Sequence, residues 1–382
     1  MVQSIIGIET KLMKEYYKYF SKYAKGKEPE KKVAWVTAFT PIEILEALGM
    51  SYYYPESYAA VIAASGYEQH FLEKSEETYL AKDCCSYSCC IEGCLELSEG
   101  PRGIPPKPDV LIATNNQCNT LPNWWNILAE RYNVPLIILD YPGENTDYNI
   151  AYEYVTQQHK NLIRDLERLT GSELDIQVLE NLISNSKKSV EAWNSVIIHL
   201  KDRNILPTNL FDDINFLITA RCKYETAELY QMMEEEYSSL PLNDESLLPI
   251  YWLGYPLWYH PDRYLSSYLD GCKITGANYI TWWSLDYSGE TVYKKLFNAY
   301  NFTFLNLSQK TRNCRLKESI NKAKAKGVIV LHNKSCKCDF VSAKNIELPQ
   351  VEIEMDMIDR TIINEEEVRR KIALLKETIC ME

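Results

Sequence analysis

Cysteine is the residue type whose placement in this chain points to chemistry. Twelve are present, and Cys84, Cys85, Cys89, Cys90, Cys94 and Cys118 fall within 35 residues. Cys336 and Cys338 form a second group near the far end. A thiolate is both a nucleophile and a soft metal ligand, so clustering of this kind implies a shared ligand. Disulfide pairing is the competing reading. Vicinal cysteines such as Cys84 and Cys85 bridge only with strain, however, and a chain of 382 residues needs no staples. Zinc favours four ligands on two CxxC-like knuckles, whereas this chain offers CC, CC and CxC with Cys118 alone, so zinc fits poorly. Ferredoxin-type C-x2-C-x2-C runs are also absent, and an iron–sulfur cluster held here would be an uncommon one. Cys222, Cys272, Cys314 and Cys380 stand alone and read as small hydrophobes.

The elements that must position these thiols follow from apolar runs and their stops. Lys32 to Phe39 reads as a buried strand, and Pro41 opens an amphipathic helix that ends at Gly49. Asp109 to Ala113 is a second strand, followed by a turn over Thr114 to Cys118, a helix from Leu121 to Tyr132 and a third strand from Pro135 to Asp140. Strands separated by helices imply a parallel sheet. Charged helical stretches follow over Ala151 to Leu169, Ser172 to Leu200 and Phe211 to Ser238. The strand pattern then recurs: Pro249 to Leu257 is a strand and turn, Pro261 to Leu269 a helix, and Gly327 to Leu331 and Gln350 to Met355 two further strands. The two halves align at a nearly constant offset, with Val33 against Pro249 (216 residues), Cys118 against Cys336 (218) and Pro135 against Pro349 (214). The expected fold class is therefore α/β, with two domains carrying parallel sheets of similar topology and a helical connector. Their bounds are 1–170, 171–245 and 246–382.

In an open parallel sheet, ligands bind beyond the carboxyl ends of the strands. Cys118 ends the strand in DVLIATNNQC and Cys336 the strand in GVIVLHNKSC, so the two thiols are expected to meet across one cleft. DCCSYSCC, from Asp83 to Cys90, and Cys338 supply the rest, giving seven candidates: Cys84, Cys85, Cys89, Cys90, Cys118, Cys336 and Cys338.

Composition narrows the function classes. A formal charge of −12 repels nucleic acid phosphates, which argues against a DNA or RNA binder. The first 26 residues carry Lys11, Lys14, Glu15, Lys18 and Lys22 and hold no signal-peptide core. Pro249 to Pro261 is too short to span a bilayer, so no membrane role and a reducing cytoplasm are expected.

The segments PIEILEALGM, CSYS, PDVLIATNNQCNTLPNWWNILAERYNVPLIILDYP, HNKSCK and IEMDMIDRTIINEEEVRRKI resemble the benzoyl-CoA reductase and 2-hydroxyacyl-CoA dehydratase family. The resemblance covers most of the chain. It implies two Rossmann-like domains and a four-iron cubane ([4Fe-4S]) held by cysteines at the positions of Cys85, Cys118 and Cys336. It also implies an ATP-hydrolysing iron–sulfur activator that donates low-potential electrons. The chain itself lacks a GxxxxGK[ST] loop and a GxGxxG fingerprint, in keeping with a nucleotide site elsewhere. The doubled pairs and Cys338 resemble the double-cubane branch of that family, in which two sulfide-bridged cubanes ([8Fe-9S]) take six cysteines. Cys85, Cys118 and Cys336 are then assigned to the first cubane, and Cys84, Cys338 and either Cys89 or Cys90 to the second. Cys94 lies one helical turn beyond Cys90 and is a weaker substitute for it.

The expected activity is reduction of a small molecule by an iron–sulfur enzyme, with homodimerisation implied by the resemblance. A single-cubane subunit of a 2-hydroxyacyl-CoA dehydratase or benzoyl-CoA reductase is the alternative, and a non-catalytic electron carrier a third. His332 is a weak candidate proton donor, about as well explained as a structural histidine at a strand end. Asn115, Gln117 and Asn333 read as turn residues. Trp124, Trp125, Trp282 and Trp283 read as core or interface, and Asp356 to Glu367 as a surface helix with its ion pairs.

Overall fold

Two apolar runs too continuous for half-exposed strands, Val33–Val36 (β1) and Val110–Thr114 (β3), are buried at every position, as strands covered on both faces must be. They lie at the centre of a four-stranded parallel sheet in a computed structural model that describes residues 4–18, 20, 30–78, 84–205, 207–259, 269, 271–336 and 345–381. Cys338, Asp83 and the expected helix over Pro261 to Leu269, apart from Leu269 itself, lie outside the described residues. Ser51–Tyr53 (β2) and Leu136–Leu139 (β4) complete the sheet in the order β2-β1-β3-β4. A second parallel sheet repeats that order as β6-β5-β7-β8, from Leu248–Leu253 (β5), Cys272–Ala277 (β6), Gly327–Asn333 (β7) and Gln350–Met355 (β8). The chain therefore carries two Rossmann-like α/β units. In each, the strand order reverses between the two central strands, and this opens a crevice at their carboxyl ends.

Helix Ile5–Tyr16 (α1) precedes the first sheet, and Ile42–Ala47 (α2), Pro55–Ala64 (α3), Glu68–Thr78 (α4), Ser86–Leu97 (α5) and Thr120–Tyr132 (α6) accompany its strands. Helices α4 and α5 touch backbone to backbone: a Cβ built on Gly93 would overlap the Phe71 carbonyl group, so only glycine fits there. Between the sheets run Tyr148–Thr170 (α7), Ile176–Ile197 (α8), Pro207–Ala220 (α9) and Tyr224–Ser239 (α10). Asp147 and Asp175 cap α7 and α8 by accepting from the free N–H groups of their first turns.

Four details depart from the sequence reading. Strands β2 and β6 were not anticipated; β2 is three residues long, and β6 interrupts its apolar run with Lys273 and Gly276. The stretch Phe211 to Ser238 is two helices, broken around Arg221 to Lys223. Asp356 is not on a surface helix but buried, and the C-terminal helix begins only at Glu365 (α14, Glu365–Met381, after Asn278–Thr281, α11; Val292–Asn301, α12; and Gln309–Lys322, α13). Asp356 is drawn inward because its carboxylate accepts three backbone N–H groups, from Ser335, Ile358 and Asp359.

Arg221, at the break between α9 and α10, pins the two units together. It is buried, as is Glu43 on α2. Glu43 Oε1 accepts from Ser186 Oγ at 2.6 Å and Tyr287 OH at 2.7 Å, and Oε2 accepts from Tyr300 OH at 2.6 Å. The guanidinium lies 3.4 Å from Glu43 Oε1 and donates to the carbonyls of Thr40 (2.7 Å) and Ile218 (2.9 Å) and to Tyr300 OH (2.7 Å). Thr40 and Glu43 belong to the first unit, Tyr287 and Tyr300 to the second.

Candidate metal centre between the sheets

Three thiols meet where the carboxyl ends of the two sheets face each other. Cys118 comes from the loop after β3, Cys336 from the loop after β7, and Cys85 from the residue that caps α5. All three border one cavity of about 70 Å³. The Cys336 loop is held from both sides, with Asn333 Oδ1 accepting from the Cys336 N–H at 3.2 Å and Asp356 Oδ2 accepting from the Ser335 N–H at 3.2 Å. Ser335 Oγ donates to Ser86 Oγ at 3.0 Å, which ties this loop to the start of α5 and so fixes Cys336 relative to Cys85. Asn115, read as serving its own turn, instead ties the loop after β3 to the loop after β4, accepting from the Tyr141 N–H and donating to Asp140.

The electrostatics of this cavity are one-sided. Burial pushes the Cys85 thiol far above its ordinary range, and the Cys336, Cys118 and Glu56 side chains add to the shift. Burial likewise lifts Cys118 to about 11, with Glu56 and Cys336 adding to it, while the Leu121 and Thr120 backbone N–H groups pull it down. Among the described residues no lysine, arginine or histidine borders the cavity. Sulfur donors in such surroundings ionise readily only when a cation joins them, so binding a metal and releasing the thiol protons are one event. Among the described residues no three Cys, His, Asp or Glu side chains converge tightly enough to clasp a single metal ion. The soft donors border a space instead, and a set of this kind suits an iron–sulfur cluster better than a hard cation.

The other candidates separate into distinct environments. Cys84 and Cys89 border a second, smaller cavity of about 20 Å³ with Ser86, Lys334, Ser335 and Asp356. Burial raises the Cys89 thiol to about 12, and Cys84 adds to the shift. Consecutive residues Cys84 and Cys85 thus serve different cavities, and the backbone around them is the wall between. Cys90 is buried beside Cys94 and Glu68, which push its thiol up further after burial itself, and it borders neither cavity. His332 is exposed, with Nε2 3.2 Å from Glu352, and also borders neither. Cys222 and Cys272 are buried, whereas Cys314 and Cys380 are exposed.

Glu56, Trp282 and Trp283 are among the residues of the thiol cavity that were not anticipated as part of it. Glu56, on the first turn of α3, lines it; burial raises the carboxyl to about 7, against the pull of the Ala38 backbone and the Gln117 side chain. An acid beside a proline at a helix start is ordinary, so no local signal marked it. Trp282 and Trp283, read as core, form part of the cavity wall, with Phe39 stacked on Trp283 at 4.7 Å. Glu56 Oε2, Gln117 Oε1 and both indole N–H groups are buried without a hydrogen-bond partner among the described residues. Polar atoms left this way around a set of thiols are what a bound, hydrogen-bonding group would satisfy.

Comparison with known proteins gives the same direction. The sequence model of the family described as 2-hydroxyglutaryl-CoA dehydratase, D-component, matches residues 37–379. The (R)-phenyllactyl-CoA dehydratase alpha subunit of Clostridium sporogenes is 26% identical over 377 residues, covering 93% of this chain and 91% of that protein. The lactoyl-CoA dehydratase alpha subunit of Anaerotignum propionicum is 26% identical, with 90% of each chain covered. A benzoyl-CoA reductase subunit from Thauera aromatica is 26% identical over a shorter stretch, 46% of this chain and 42% of its own.

Proposed function

The chain belongs to the 2-hydroxyglutaryl-CoA dehydratase D-component family, and on that footing we propose that it is an iron–sulfur enzyme whose Cys85, Cys118 and Cys336 hold a cubane cluster. Cys84, Cys89 and Cys338 are the second set of ligands, giving a paired [8Fe-9S] cluster. Between Cys89 and Cys90, the shared cavity of Cys84 and Cys89 favours Cys89. The electron donor is an ATP-hydrolysing iron–sulfur activator, the substrate a small molecule, and the assembly a cytoplasmic homodimer. No helix among the described residues is long and apolar enough to cross a membrane.

The observation that carries this reading is that three thiols from three separate segments, spanning both sheets, border one cavity that no cationic side chain among the described residues lines. When bound, an iron–sulfur cluster supplies electrons at low potential. The chain's own contribution is positional and protonic. Ser335, Ser86, Asn333 and Asp356 hold the thiol-bearing loops in register. Phe39, Trp258, Trp282 and Trp283 give the cavity an aromatic wall, whose low polarity strengthens the electrostatic interactions beside it. Glu56 brings a carboxyl group to the cavity, where it can hold or release a proton at Oε2 beside the thiols.

A second reading has its own support. Relatives that share about nine-tenths of this chain are named as dehydratase alpha subunits, which favours a single [4Fe-4S] cluster and a second, related subunit. Iron and acid-labile sulfide per chain, measured after anaerobic purification, separate the two. About eight irons is the expected result, about four supports the dehydratase-subunit reading, and zinc without sulfide overturns both.

A further inference from the structure

The thiol cavity adjoins a much larger space. A cleft of about 720 Å³ lies among α1, α3 and α9, within the size range that takes a small-molecule ligand. Four residues, Ser57, Ala60, Asn215 and Trp258, line both the cleft and the thiol cavity, so they form the neck between the two. Among the described residues five charged side chains line the cleft, namely Glu9, Lys14, Arg102, Asp212 and Asp213. None of these four neck residues is charged, and among the described residues the cavity beyond the neck offers one carboxyl group, three thiols and no cation.

We propose that the α1–α3–α9 cleft is the entrance to the thiol cavity, and that the neck of Ser57, Ala60, Asn215 and Trp258 admits small uncharged molecules and rejects anions. The physical reason is desolvation. A charged group can stay hydrated in the open cleft but must shed water to pass a neck with no counter-charge, and an anion then meets Glu56 and sulfur donors with no cation among the described residues to balance it. A small neutral molecule pays neither cost, and the aromatic wall beyond the neck gives it apolar surface to cover. As a statement about substrate this rests on the proposed reaction at the thiols; as a statement about access it does not.

The test uses the full-length chain stripped of metal and follows alkylation of Cys118 by peptide mass spectrometry, with exposed Cys314 as the internal reference. Ser57→Trp and Asn215→Trp plug the neck from two different helices, α3 and α9, and Ser57→Ala is the mild control. Each plug is expected to slow iodoacetamide at Cys118 about tenfold relative to Cys314, with Ser57→Ala unchanged. In the unsubstituted chain, the iodoacetate-to-iodoacetamide rate ratio at Cys118 is expected about tenfold below that at Cys314. Unchanged Cys118 rates in a plug with native circular dichroism overturn the route. Equal ratios at the two cysteines overturn the charge selection. If the plugs protect Cys118 while anaerobic preparations carry no iron, the entrance stands and the cluster reading falls.

Discussion

Arg221 and Glu43 join the two α/β units through a charge pair whose oxygens and nitrogens are matched by Ser186, Tyr287, Tyr300 and two carbonyls. Cys85, Cys118 and Cys336 stand at the other junction of the same two units, yet there like groups face like groups and four buried polar atoms lack partners among the described residues. The first assembly satisfies itself and so contributes to folding. The second is a set of donors arranged around a shared space, which folding alone does not reward. The contrast separates a clamp from a binding site without reference to any relative.

The sharpest break of that contrast is at the thiols. Cys118→Ser or Cys336→Ser is expected to remove at least about half of the bound iron and to lower activity about a hundredfold. The same changes should shift the urea midpoint of the metal-free chain by less than about 1 kcal/mol in stability. A large loss of metal-free stability would make the thiols structural. Arg221→Met should behave in the opposite way, costing about 3–5 kcal/mol in urea unfolding because Glu43 is left buried and unpaired, with iron per folded chain unaltered. Adding Glu43→Gln should recover part of that loss; no recovery would mean that packing, not charge, sets the cost.

The two cavities on either side of Cys84 and Cys85 allow a finer comparison. Cys89→Ser should remove about half of the iron and Cys90→Ser none, read by metal analysis of anaerobic protein. Equal losses would erase the distinction drawn from their surroundings.

The smallest effect concerns Asp213, which lines the cleft without the guanidinium that serves Glu43. Burial, with Glu9 and Asp212 beside it, raises its carboxyl to about 8. The folded chain therefore keeps a proton that the unfolded chain releases near pH 4, and stability falls as pH rises from about 4 to about 8. Asp213→Asn removes that slope, so its benefit should grow over the same window to about 1–2 kcal/mol, softened by water in the cleft. A pH-independent difference between the two proteins would exclude this origin.

Much of the architecture was readable before coordinates. β1, β3, β4, β5 and β7 announced themselves by runs of apolar residues and β8 by alternation of apolar and polar residues, and the near-constant offset between halves anticipated two sheets with the same strand order. β2 and β6 escaped because sheet-edge strands need little apolar sequence. Ser51–Tyr53 is very short, and Lys273 in β6 is tolerated because its ammonium donates to the Arg203 carbonyl at 2.7 Å and to Asn243. At the site, the positions of Cys118 and Cys336 at strand ends followed from where such sheets bind ligands. Glu56 and the two tryptophans did not follow, because only tertiary packing brings α3 and the Trp282–Trp283 segment to the thiols. The choice between Cys89 and Cys90 was likewise invisible in DCCSYSCC, since it depends on which face of α5 meets α4.

That meeting of α4 and α5 has one more consequence. With the Gly93 backbone seated directly on the Phe71 carbonyl, no flexible side chain cushions the contact. The sulfur at the head of α5 inherits its coordinates from main chain resting on main chain. Distances fixed in this way vary little with repacking elsewhere.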